Sequence, residues 1–168
     1  MKRIILLLVV VIISETAAAQ NDSIAPYLRV PVLPQFSILK TDSVTWITKT
    51  DLKTGIPTII MLFSPDCDHC QKQTEIITAN IKLLGNTQIV MTTYQPMEKM
   101  RWFNEKYGLA KYPNIYLGRD VKYFFGPFFR IRFAPFIAIY DRSESLFKVY
   151  EGGAKIDKLL EGVKPPSP

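Results

Sequence analysis

The chain has 168 residues, a formal net charge of +6, 48% hydrophobic residues and two cysteines. That length suits one domain plus a targeting segment. The basic excess is mild and scattered, which excludes the basic stripe of a nucleic-acid binder, and two cysteines exclude a multi-bridge disulfide scaffold.

Met1-Lys2-Arg3 leads into an unbroken apolar run over 4–13; Ser14, Glu15 and Thr16 break it, and Ala17-Ala18-Ala19-Gln20 follows. A basic start, a short apolar middle and an A-x-A end predict a secretory signal peptide over residues 1–19, cleaved after Ala19. The run is about half of the roughly 20 residues a spanning helix needs, and an uncleaved membrane anchor is the alternative. No cysteine stands near the cut, so no lipid-modified N-terminus is expected. Cleavage removes Lys2, Arg3 and Glu15, leaving 19 basic against 14 acidic side chains, a net of +5. The expected location is periplasmic or secreted, where disulfides form.

Residues 20–33 are polar and proline-bearing and read as a linker. Residues 36–39 and 44–47 predict two short strands around a turn at Thr41-Asp42-Ser43, an N-terminal β-hairpin. Residues 57–63 are apolar at nearly every position, as in a strand buried on both faces. Ser64-Pro65-Asp66 ends it. A helix then starts near Cys67, shows an apolar face through Ile76, Ile77, Ile81 and Leu84, and stops at Gly85-Asn86. Residues 88–94 predict a strand, 97–109 a helix closed at Gly108, and 114–117 a short strand. Residues 136–140 and 146–150 form a strand pair about Asp141-Arg142-Ser143-Glu144. After Gly152-Gly153, residues 154–162 predict a last helix, and 164–168 a disordered tail. Strand–helix–strand units imply a parallel core and the closing hairpin adds antiparallel strands. The expected fold class is α/β, a mixed central sheet flanked by helices, over residues 34–163.

Cys67-Asp68-His69-Cys70 stands where the buried strand turns into a helix. Unpaired N–H groups and the dipole at a helix N-terminus favour negative charge, so the Cys67 thiol is expected to ionise more readily than a free one. Thiolate is the attacking species in disulfide exchange. Cys70, one turn later, is placed beneath it to resolve a mixed disulfide. A protonated His69 favours the Cys67 thiolate, whereas Asp66 and Asp68 oppose it by like-charge repulsion. The sequence alone does not rank the two effects. Other readings of the pair compete. As a structural bridge, so short a loop stabilises by only about 2 kcal/mol, against about 3 for fifteen residues. As a metal site, it offers Cys67, Cys70 and His69 where zinc takes four ligands or three plus water. Two inert buried thiols are the third reading.

These residues resemble the thioredoxin superfamily, and most its exported TlpA/ResA-like thiol–disulfide oxidoreductases, from about Pro34 to Val163. The resembling pieces are Pro34-Gln35-Phe36, the strand before the site, the Cys67/Cys70 motif, Ala134-Pro135-Phe136-Ile137 and Val149-Tyr150-Glu151-Gly152-Gly153. The resemblance implies a thioredoxin-like fold with an insert before a cis-proline loop. It also implies that Pro135 is cis and faces Cys67, and that the Ala134 backbone pairs with an extended substrate. Cys67, Cys70, His69 and Pro135 are then the catalytic set, with Ala134, Asp66 and Asp68 facing substrate. The expected partners are protein thiols and disulfides plus a membrane or exported electron-transfer protein. No cofactor, metal or nucleic acid is expected, and the protein is expected as a monomer.

Two departures bear on activity. Asp66 replaces the tryptophan often found before the first cysteine, and the preceding strand lacks the buried acid of thioredoxins. A histidine before the second cysteine is similar to the periplasmic disulfide-oxidant family, whereas the rest of the chain favours a reductant. The rival from another class is a non-enzymatic copper or zinc carrier or binding module on the same fold. The aromatic stretch 123–133 has two readings, packing of the insert onto the sheet or an apolar patch beside the site.

Overall fold

The computed structural model describes residues 24–163. The signal peptide expected over 1–19 and the tail over 164–168 lie outside the described residues. Strand β3 (Thr58–Leu62) is buried at every position. Its alternate side chains feed two separate cores: Ile59 and Met61 enter one, Ile60 and Leu62 the other. That is why the segment reads as a continuous apolar run rather than an alternating one.

β3 lies within a seven-stranded sheet. Moving outward on one side are β4 (Gln88–Thr93), β5 (Ile115–Arg119), β1 (Ser37–Leu39) and β2 (Trp46–Thr48). On the other are β6 (Phe136–Tyr140) and β7 (Leu146–Glu151). β3, β4 and β5 pair in parallel, while the β1–β2, β1–β5, β3–β6 and β6–β7 contacts are antiparallel. The mixed sheet and the N-terminal hairpin are as expected.

The helices are α1 (Pro26–Arg29), α2 (Asp68–Ala79), α3 (Ile81–Leu84), α4 (Met97–Tyr107), α5 (Phe125–Phe129) and α6 (Ile156–Val163). One core joins Ile77 of α2, Met100 and Phe103 of α4 and Leu159 of α6 to the sheet. The opposite core takes Phe125 and Phe129 of α5 with Leu33, Phe36 and Ile38.

Four local details differ from expectation. Residues 26–33 are not a free linker: Tyr27 packs on Phe129 (5.5 Å) and Phe136 (6.4 Å), Leu33 is buried, and the Leu33 N–H donates to the Glu144 carbonyl (2.8 Å). β2 begins at Trp46 rather than Val44 because the Asp42 carboxylate takes the Val44 and Thr45 N–H groups (2.9 and 2.8 Å), as Asx turns do. The helix expected to run to Leu84 breaks at Asn80, whose side-chain amide donates to the Ile76 carbonyl (2.8 Å). Helix α5 lies in the aromatic stretch 123–133, where no element was expected, and spans Gly126-Pro127. Buried Asp120 holds its start by accepting the Phe124 and Phe125 N–H groups (3.0 and 2.9 Å).

On β5 the chain needs a glycine. A Cβ on Gly118 would come within 2.6 Å of fully buried Ile38. Gly118→Ala should therefore destabilise the protein by about 1–3 kcal/mol, measured as a lower urea midpoint at unchanged slope.

Candidate active site

β3 delivers the chain to the redox turn in a fixed direction. The Phe63 N–H continues the ladder by donating to the Thr92 carbonyl (3.0 Å). The chain then turns through Ser64-Pro65-Asp66, with the Cys67 N–H donating to the Ser64 carbonyl (3.1 Å). Cys67 caps the N-terminus of α2 with extended backbone, φ −92° and ψ 119°, and no side chain caps the helix there. Its first-turn N–H groups therefore face the thiol side of the turn, where a negative charge is favoured.

The two cysteines are free and differ in access: Cys67 is half-buried and Cys70 has no exposure. Burial pushes the Cys70 thiol up to about 12, against a smaller opposing effect of the Ser64 N–H, which donates to its sulfur (3.4 Å). Hydrogen bonding with Cys67 adds to the upward push. At neutral pH Cys70 is a shielded thiol.

The loop before β6 closes the site. The Ala134–Pro135 peptide is cis. Cys67 Sγ lies 3.9 Å from the Ala134 carbonyl oxygen, a weak S–H contact. Ala134 is exposed and Pro135 buried. From behind, the Gly152 N–H donates to the Pro135 carbonyl (2.9 Å).

Gln73 was not singled out from the sequence. It is buried on α2, and its Oε1 accepts the Ala154 N–H (2.7 Å). Gly153, at φ +113°, passes so close that a Cβ there would lie 2.9 Å from Gln73 Oε1 and 3.7 Å from Pro135. A polar residue on the buried face of a helix, with a Gly-Gly pair downstream, was the only signal.

The flanking residues separate. Asp66 is exposed and ion-paired with Lys99 of α4. Asp68 is exposed in the first turn of α2. His69 is exposed and lines a shallow cleft of about 260 Å³ with Lys72, Gln73 and Lys155. Among the described residues no hydrogen bond joins His69 to Cys67. β3 carries no acid, and the buried Asp120 carboxylate is engaged by the start of α5.

Phe125 and Phe129 pack into the core, while Tyr123 and Phe133 are exposed. Beside Ala134 a cavity of about 210 Å³ is lined by Leu62, Ser64, Tyr94, Gly126 and Ile131. Among the described residues no group of three or more His, Cys, Asp or Glu could hold a metal ion.

No protein-family model matches the sequence, and no curated protein matches it. Solved structures do. A secreted Mycobacterium tuberculosis disulfide oxidoreductase is similar at 17% identity and TM-score 0.60, over 77% of this chain and 94% of that one. An exposed lipoprotein thioredoxin of Streptococcus pneumoniae is similar at 17% and 0.60, over 77% and 98%. Arabidopsis thaliana ScoI with copper bound is similar at 14% and 0.60, over 79% and 95%. The chain has the thioredoxin-like fold.

The difference in access makes a chemical prediction. Iodoacetamide at mildly alkaline pH should modify one thiol, Cys67, in the native protein and both after unfolding. Peptide mapping that finds Cys70 labelled natively at a similar rate would contradict the burial argument.

Proposed function

We propose that this thioredoxin-fold chain is an exported thiol–disulfide oxidoreductase that acts on partner proteins, with reduction as its working direction. The observation that carries the reading is a half-buried cysteine capping a helix, beside the Ala134 carbonyl that precedes cis-Pro135, with a fully buried second cysteine three residues on. A structural bridge would not need one sulfur accessible and the other shielded.

In the proposed cycle the Cys67 thiolate attacks one sulfur of a substrate disulfide. That S–S bond breaks, a Cys67–substrate disulfide forms, and the displaced substrate sulfur leaves as a thiolate that takes up from water the proton Cys67 had released. Cys70 then attacks Cys67 Sγ, and its proton passes to the second departing substrate sulfur directly or through water. The substrate gains two electrons and two protons, and Cys67–Cys70 becomes the disulfide. A dithiol electron-transfer protein, in the membrane or exported, returns the pair to the reduced state. The reading calls for no cofactor.

Several features support this direction and substrate class. Strong oxidants of this chemistry stabilise their reduced form, whereas here burial holds Cys70 as a thiol and His69, which lines a cleft with Lys72, Gln73 and Lys155, makes no hydrogen bond to Cys67 among the described residues. Exposed Ala134 leaves its backbone free for an extended peptide, and the adjoining apolar cavity suits a side chain of that peptide. Export rests on residues 1–19 of the sequence. Among the described residues no helix is long and apolar enough to cross a membrane.

Two experiments test this. Cys70→Ser should accumulate a covalent complex with partner proteins of the exported fraction on non-reducing gels, and Cys67→Ser should not. Equal trapping by both variants would contradict the division of labour. If neither traps a partner while the reduced protein binds copper or zinc one-to-one, the metal-carrier reading replaces this one. N-terminal sequencing of the exported protein should begin at Gln20, and a retained Met1 would instead support an anchor.

A further inference from the structure

Helix α4 holds the redox turn from one side. Lys106 Nζ (2.9 Å) and the Tyr107 hydroxyl (3.2 Å) both donate to Gln71 Oε1, and Gln71 Nε2 donates to the Pro65 carbonyl (2.9 Å). Two turns earlier on the helix, Lys99 pairs with the Asp66 carboxylate. The first set braces the backbone of the turn. The second acts on charge, because Asp66 is the residue immediately before Cys67.

An uncompensated carboxylate at that position opposes ionisation of the neighbouring thiol. We propose that Lys99 cancels this repulsion and is thus a positioning residue for the nucleophile, acting on Cys67 through Asp66. The other charged or titratable groups about Cys67 are Asp68, His69 and Cys70 of α2. Asp68 and His69 are exposed, and their charges oppose each other when His69 is protonated. The loop packed on the other side presents the Ala134 carbonyl to the thiol, and its Arg132 pairs with Glu151 (3.5 Å). Lys99 is the cation paired with the carboxylate next to the thiol. The proposal also gives α4 a task at the site beyond covering the sheet. It rests on Cys67 being the attacking thiol and not on the identity of the partner.

The test is the rate of Cys67 alkylation by iodoacetamide across pH. Lys99→Gln should slow it about threefold at neutral pH, the size expected of an exposed ion pair, and move its pH midpoint upward. Lys99→Arg should keep the wild-type profile. Adding Asp66→Asn to Lys99→Gln should restore the rate, since the repulsive charge is then gone. High salt should shrink the difference between Lys99→Gln and wild type. An unchanged midpoint in Lys99→Gln overturns the proposal. So does a slowed rate that Asp66→Asn fails to restore, which would mean Lys99 only braces the turn. Alkylation needs no partner protein, so failure of the oxidoreductase reading would show in the trapping experiment and not here.

Discussion

The antiparallel pairing of β3 with β6 is the constraint on which the site depends. Leu62 stands opposite Phe136, and the register runs unbroken to Thr58 opposite Tyr140. Beyond the Leu62–Phe136 pair the ladder between the two strands ends, and the chain continues into Phe63-Ser64 on one strand and comes from Ala134-Pro135 on the other. The redox turn and the cis-proline loop are therefore brought together by the pairing of the strands that lead into and out of them. A slip of one residue would exchange the inward and outward faces of β6. It would swap Ile137 and Ile139 with Phe136 and Ala138 between the two cores, so packing on both sides of the sheet enforces the register that aligns Ala134 with Cys67.

The same placement divides the two thiols. The helix that begins at Cys67 must lay its apolar face on the sheet, and Cys70 falls on that face with Gln73, Thr74 and Ile77. Burial of the second thiol is thus a by-product of helix packing, and the first is left at the rim because it precedes the helix. Holding Cys70 protonated costs nothing in the resting protein. In the proposed cycle it becomes useful when a mixed disulfide on Cys67 brings an accepting sulfur alongside. Gln73 and Gly153 finish the arrangement by wedging the β7–α6 connection against Pro135.

Much of this was legible in the sequence, for identifiable reasons. The stretch 57–63 announced β3 because burial on both faces removes every polar residue, and residues 136–140 match β6 end to end. The Cys67/Cys70 spacing at a strand–helix junction located the turn. What the sequence hid was interaction through space. Lys99 and Asp66 are distant in sequence, and nothing in either neighbourhood marks the pair. Helix α5 contains Gly126-Pro127 and forms because Asp120 caps it and Phe125 and Phe129 have a core to enter. Residues 26–33 look like linker by proline content, yet Tyr27 and Leu33 find apolar partners. In both places tertiary packing overrode local propensity.

The central claim is that Cys67 and Cys70 form one redox couple poised to donate electrons. The most direct measurement is the equilibrium of the purified protein with reduced and oxidised glutathione, followed by the fraction of Cys67–Cys70 disulfide. The account predicts a single two-electron transition nearer the thioredoxin value of about −270 mV than the roughly −120 mV of strong disulfide oxidants. A potential near the oxidant value, or two thiols that form mixed glutathione adducts without ever joining each other, would contradict it.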